Sequence, residues 1–132
     1  MNFDKIRERY REFIEWDGSN VEQKMTQIAS EHAYYLNLYY ETSRKKTSLE
    51  KELKELYQGK WKYYKYEFDG SLDKSEIRLF IEKDLDVIRL TGQLSNSESA
   101  LNFFDVCMKN VDQMRWDIKW WLDYNKFKAG LS

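Results

Sequence analysis

Proline is absent from the 132 residues, and only Gly18, Gly59, Gly70, Gly92 and Gly130 interrupt the chain as flexible breakers. A sheet protein of this length needs many tight turns, which draw on both residue types, so their scarcity excludes a many-turned β fold and favours long helices. The single cysteine, Cys107, cannot form an internal disulfide, and the opening residues do not read as a secretory leader; a reducing cytoplasm is the expected setting. No apolar run approaches the ~20 residues that span a bilayer, so no membrane contact is expected. One histidine, His32, far in sequence from Cys107, gives no metal-ligand spacing, and no two glycines lie close enough to cradle a phosphate. Neither a metal nor a nucleotide cofactor is expected. Cys107 sits between Phe104, Met108 and Val111, where a thiol behaves as a small apolar group, and the many carboxylates form no pattern that separates acid–base work from a solvated helix face. No residue is assigned a catalytic role.

What is present is apolar residues, at 42% of the chain, interleaved with charged ones at 34%. Mean hydropathy is −0.84, so the apolar groups are expected on narrow stripes between charged faces. Phe3, Ile6, Tyr10, Phe13 and Ile14 recur at helical spacing and predict a short helix within 1–16, closed by Asp17, Gly18 and Ser19. Ser19 with Glu22 has the spacing of a capping box at the start of a second helix. From there Val21, Met25, Ile28, His32, Tyr35, Tyr39, Thr42, Lys46, Leu49, Leu53, Leu56, Lys60 and Tyr63 alternate by fours and threes, a heptad seam that predicts one long helix over 20–67. His32 on this seam reads as a satisfied core or interface imidazole. Residues 67–72 carry turn signals, Asp73 with Glu76 offers a second capping box, and Asp84 and Asp86 mark a boundary. A second seam follows through Val87, Leu90, Leu94, Ser97, Leu101, Phe104, Met108, Val111, Arg115, Ile118 and Leu122, within helical segments over 73–128. The expected fold is all-α: one helical domain over 1–132, with a short N-terminal helix docked beside two long helices in an antiparallel hairpin.

Net charge is only −1, but charge is partitioned along the chain. Over 44–65 eight basic residues (Arg44, Lys45, Lys46, Lys51, Lys54, Lys60, Lys62 and Lys65) face three acids, and over 67–86 seven acids face three basic residues. Within the basic stretch Lys60, Lys62 and Lys65 interleave with Trp61, Tyr63, Tyr64 and Tyr66. Lysines neutralise phosphates with counterion release, and ring faces stack on unpaired bases without reading their sequence, so this composition suits single-stranded nucleic acid. The opposing reading, in which the rings pack and the lysines only keep them soluble, stays open from composition alone. Stacking and phosphate contacts do not separate DNA from RNA, and an RNA-binding adaptor stays open too. A second aromatic group, Trp116, Trp120, Trp121, Tyr124 and Phe127, forms a stripe on the last helix; with Leu101, Phe104, Met108 and Val111 it is the expected self-association surface.

The order of these features resembles the UvsY family, the recombination mediator proteins of T4-like phages. The resemblance rests on Lys60-Trp61-Lys62-Tyr63-Tyr64, on Asp73-Lys74-Ser75-Glu76-Ile77, on Lys83-Asp84-Leu85-Asp86-Val87-Ile88-Arg89-Leu90 and on Asn125-Lys126-Phe127-Lys128-Ala129-Gly130. It implies an α-helical ring-like homo-oligomer of six or seven subunits in the cytoplasm of an infected bacterial host. Such an assembly binds single-stranded DNA and helps a RecA-like recombinase of the UvsX type load where the phage single-strand-binding protein already sits, without hydrolysing nucleotide. It also implies assembly through the C-terminal segment. Gln58 stands where the family pattern has the first of two basic residues, and Lys62 where it has an acid, so the charge has moved along the helix. The alternative of a different class is a coiled-coil assembly or scaffold protein without nucleic-acid binding, which has no use for an exposed Trp61.

Overall fold

A computed structural model describes residues 1–68 and 70–130. Four α-helices follow one another: α1 (Phe3–Ile14), α2 (Val21–Lys62), α3 (Lys74–Glu82) and α4 (Leu85–Lys128), with a single π-helical turn (Tyr63–Glu67) prolonging α2. The described residues contain no strand, and the chain is all-α, with a short N-terminal helix and two long helices of 42 and 44 residues. Asp69 of the expected turn and the last two positions of the expected 1–132 domain lie outside the described residues.

Helix ends follow local chemistry. The Asn2 side chain accepts from the Lys5 amide to start α1, and the Asp73 carboxylate accepts from the Glu76 amide at 2.8 Å to start α3. Asp84 takes the amides of Asp86 and Val87 at 2.9 and 3.2 Å and so starts α4 at the expected boundary. The Ser19–Glu22 capping box does not form. The amide and hydroxyl of Ser19 both donate to the Asp17 carboxylate, a nearer and charged acceptor, and Asn20 closes the turn by accepting from the Asp17 amide at 2.8 Å. These bonds from Ser19 hold the Asp17 carboxyl below the usual carboxylate range.

The chain folds as two compact units, Met1–Tyr39 with Asn102–Ser132 and Tyr40–Leu101. In the first, α1 packs on the N-terminal part of α2 and the C-terminal part of α4. Phe3 meets Phe103 at 5.1 Å, Tyr10 meets Tyr35 edge-on, Asn110 donates to the Tyr10 hydroxyl at 2.6 Å, and Arg9 pairs with Glu31. Val21, Ile28 and Tyr35 on α2 and Phe104, Cys107, Val111, Met114 and Ile118 on α4 are buried there. Tyr35 is fully buried and its hydroxyl has no hydrogen-bond partner, so burial pushes its pKa up. His32 lies 3.4 Å from Asp112. Trp121 packs edge-on against Trp16 and lies close over Gly18, where a Cβ would stand 3.3 Å from the Trp121 ring, a tight contact.

The seam on α4 is offset from the expected one. Phe104, Val111 and Ile118 are buried as expected, but their inner companions are Cys107, Met114 and Trp121 rather than Met108, Arg115 and Leu122. An arginine cannot be buried without a partner, and Met114 one residue earlier offers an apolar group. In the second unit α2 and α4 again run antiparallel. The pairs Lys46–Glu98 at 3.6 Å and Lys60–Asp84 at 3.0 Å are fourteen residues apart on each side, two heptads of one register. Ile77, Ile81 and Val87 form the core of this unit, with Leu53, Leu56, Tyr57, Trp61, Tyr64 and Leu72 packed around them.

Candidate nucleic-acid interface

The basic and aromatic stretch lies wholly within the second unit, at the end of α2 and in the π-helical turn. Its rings divide between two environments. The seam read from the sequence carries Leu53, Leu56, Lys60 and Tyr63 inward; Leu53 and Leu56 do pack around Ile77, Ile81 and Val87, but beyond them Trp61 and Tyr64 take the inward places, one position later. Helix α3 is the reason: it lays a second apolar surface beside α2, so the inward face turns toward the rings that α3 can cover. Trp61 is therefore half-buried, and the expectation of an exposed Trp61 is corrected. Tyr63 and Tyr66 remain outside, 45% and 74% exposed.

The cations divide in the same way. Lys60 bonds the Asp84 carboxylate at 3.0 Å; this bond raises the lysine pKa and holds the Asp84 carboxyl below its usual range, with the Val87 and Asp86 amides adding to the latter effect. Lys46 is half-buried between Glu50 and Glu98. Arg44, Lys45, Lys51, Lys54, Lys62 and Lys65 are exposed. Lys65 also lies over the Tyr66 ring, 5.5 Å from its centroid. An open groove of about 410 Å³ lined by Glu55, Leu56, Gly59, Lys60 and Tyr63 borders the exposed tyrosine.

Three residues outside the predicted patch join it in space. Phe68 touches Tyr63 and Tyr64 at 6.2 and 5.5 Å, and Phe80 on α3 stacks on Tyr64 at 5.4 Å and meets Phe68 at 6.0 Å. Asp84 arrives as the partner of Lys60. Nothing in the local sequence around 60–66 signals Phe80 or Asp84, because they belong to α3 and the start of α4, which pack back on the end of α2.

Of the expected self-association residues, Phe104 and Val111 are fully buried inside the first unit, so they offer no surface to another copy. Leu101, Met108 and Trp121 are half-buried. Trp116, Trp120, Tyr124 and Phe127 are 55–72% exposed. Cys107 is fully buried, and burial pushes its thiol up to about 12, so it is an inert core group. Among the described residues no group of histidines, cysteines and carboxylates is placed to hold a metal, and no helix is long and apolar enough to cross a membrane.

No curated protein sequence matches the chain significantly. Among solved structures, two crystal forms of the bacteriophage T4 recombination mediator protein UvsY share the fold. One has a TM-score of 0.86 at 18% identity, covering 98% of each chain, and the other 0.85 at 16%, covering 97% of this chain and 99% of that one. The sequence profile described as "Recombination, repair and ssDNA binding protein UvsY" matches residues 9–131, nearly the whole length, and the chain thus belongs to the UvsY family.

Proposed function

We propose that the protein is a non-enzymatic recombination mediator. It binds single-stranded DNA and promotes loading of a RecA-like, UvsX-type recombinase onto DNA covered by the phage single-strand-binding protein, in the cytoplasm of the infected host. The observation that carries this reading is the set of exposed cations and rings, Lys62, Tyr63, Lys65 and Tyr66, at the end of α2 in a member of this family. Exposed Arg44, Lys45, Lys51 and Lys54 add positive charge on the same helix. Assembly into a ring of six or seven copies through the exposed end of α4 multiplies these modest contacts. Lys60 serves chiefly to hold Asp84, so Lys62 and Lys65 are the lysines assigned to phosphates.

The test is anisotropy of a labelled single-stranded oligonucleotide at several salt concentrations, with duplex and RNA strands as controls. Binding should weaken with salt and be much weaker for duplex. Replacing Lys62 and Lys65 by Ala should flatten the salt dependence by about 0.7 for each phosphate that is no longer neutralised; an unchanged slope removes those two residues from the assignment. A positive titration is followed by recombinase loading on strands already covered by the single-strand-binding protein. A scaffold reading is favoured by the inward Trp61 and the engaged Lys60, and absence of single-strand binding at low salt would put it first.

A further inference from the structure

The four rings Tyr63, Tyr64, Phe68 and Phe80 form one contiguous cluster at the end of α2, every neighbouring pair within 6.2 Å. Tyr64 is half-buried against Ile77 and Ile81 and is held between Phe68 and Phe80. Phe80 is not enclosed by this packing: it remains 44% exposed, as Tyr63 does at 45%. A phenyl ring that only closed a core would bury its free face, whereas this one rests one face on Tyr64 and leaves surface to solvent. The cluster is flanked by Lys62 and Lys65 at the end of α2 and on the π-helical turn, both exposed.

Resting on the single-strand reading above, we infer that Phe80 of α3 is a base-stacking residue of the DNA interface, extending a platform begun by Tyr63 across two elements. The charges fit a division of labour. Helix α3 carries Glu76 and Glu82 beside Lys74 and Arg78, so it offers a strand no net attraction; the end of α2 supplies the phosphate contacts and α3 supplies a ring. The occupant is an unpaired base, since every base has a π-face and a duplex buries that face in its own stack. The competing role for Phe80 is to clamp α3 on Tyr64 and nothing more.

The experiment compares an oligothymidylate with an abasic strand of equal length, on wild type and on Phe80→Leu, with Phe80→Tyr as the variant that keeps the ring. Stacking predicts that wild type prefers the thymidylate. Phe80→Leu should lose about tenfold on it and little on the abasic strand, with an unchanged salt slope, and Phe80→Tyr should restore the affinity. Equal losses on both strands, or none, would overturn the inference and leave Phe80 a packing residue. A wild-type protein that binds both strands alike would overturn the platform while leaving phosphate binding intact, and one that binds neither would instead remove the single-strand reading. Should Phe80→Leu fail to fold by circular dichroism, photocrosslinking of wild type to an iododeoxyuridine strand decides: adducts at Phe80 support the inference, and adducts confined to other residues defeat it.

Discussion

Asp84 has two tasks in one carboxylate. Its Oδ1 accepts the Asp86 and Val87 amides in the first turn of α4, and its Oδ2 bonds Lys60 across from α2, so a helix start and a cross-helix contact depend on the same charge. The Lys60 bond, then the amides, depress its pKa below the ordinary carboxylate value, while the bond raises that of Lys60. A depressed acid contributes stability that is present above its unfolded pKa of about 3.9 and is lost as pH falls through the folded value. A raised lysine contributes stability present below its unfolded pKa near 10.4 and lost as pH rises through the folded one. The pair therefore acts over the whole range between, and Asp84→Asn, which keeps much of the cap and loses the charge, should narrow its advantage. Wild type is expected to be more stable than Asp84→Asn at pH 7 by denaturant titration, with the gap shrinking below about pH 4. A gap that holds constant to pH 2.5 would show that the charge is not what Asp84 contributes. At this scale the sequence was informative about residue type and silent about direction. The interleaved lysines and rings of 60–66 were visible, but whether Lys60 or Lys62 faces solvent depends on Asp84, which the chain brings back from twenty-four residues away.

Elements were more legible than residues, because helical periodicity is a local property. The absence of proline, the fours-and-threes spacing, the Asp73 cap and the acidic boundary at Asp84 and Asp86 place the helices near where the structure has them. The seams hold at Phe104, Val111 and Ile118, and fail where a seam position is charged and an apolar neighbour can replace it, or where two neighbours are both apolar, as at Cys107 and Met108. Phe104, Val111 and Ile118 form the buried row of α4, but Met114 in place of Arg115 and Trp61 in place of Lys60 depend on what α1 and α3 lay beside the long helices. Gly92 also reads differently in the fold. Its residue type weakens the early turns of α4, yet the helix runs through it without a break, and a Cβ built there meets nothing within 4 Å. Such a glycine costs helix stability without serving close packing, so Gly92→Ala should stabilise the protein by about 0.5–1 kcal/mol. Thermal melts should show a higher midpoint; a lower one would mean that an assembled neighbour needs the space.

At the scale of the whole molecule, the residues that do not fit a lone chain are Trp116, Trp120, Tyr124 and Phe127. They lie at steps of four, four and three along α4, and each is more than half exposed while Ile118 on the opposite face is fully buried. A helix that is apolar on two faces has one more surface than its own chain covers, and large rings left in water favour association. In the proposed mediator this is the surface that brings copies together, and it is separate in sequence from the lysines of 62–65. Assembly and DNA contact can then be broken independently. Trp120→Glu places a charge in the middle of the stripe, outside the unit that carries the proposed DNA rings, and should shift the sedimentation profile toward monomer while leaving helix content unchanged. Its effect on binding should depend on strand length. A short oligonucleotide that reaches one patch should bind the variant as it binds wild type, whereas a long strand that spans several patches should lose the gain that comes from linked sites, on the order of a hundredfold. Equal loss on short and long strands would mean that α4 contributes to the contact itself, and an unchanged sedimentation profile would mean that the stripe is covered by something other than a second copy.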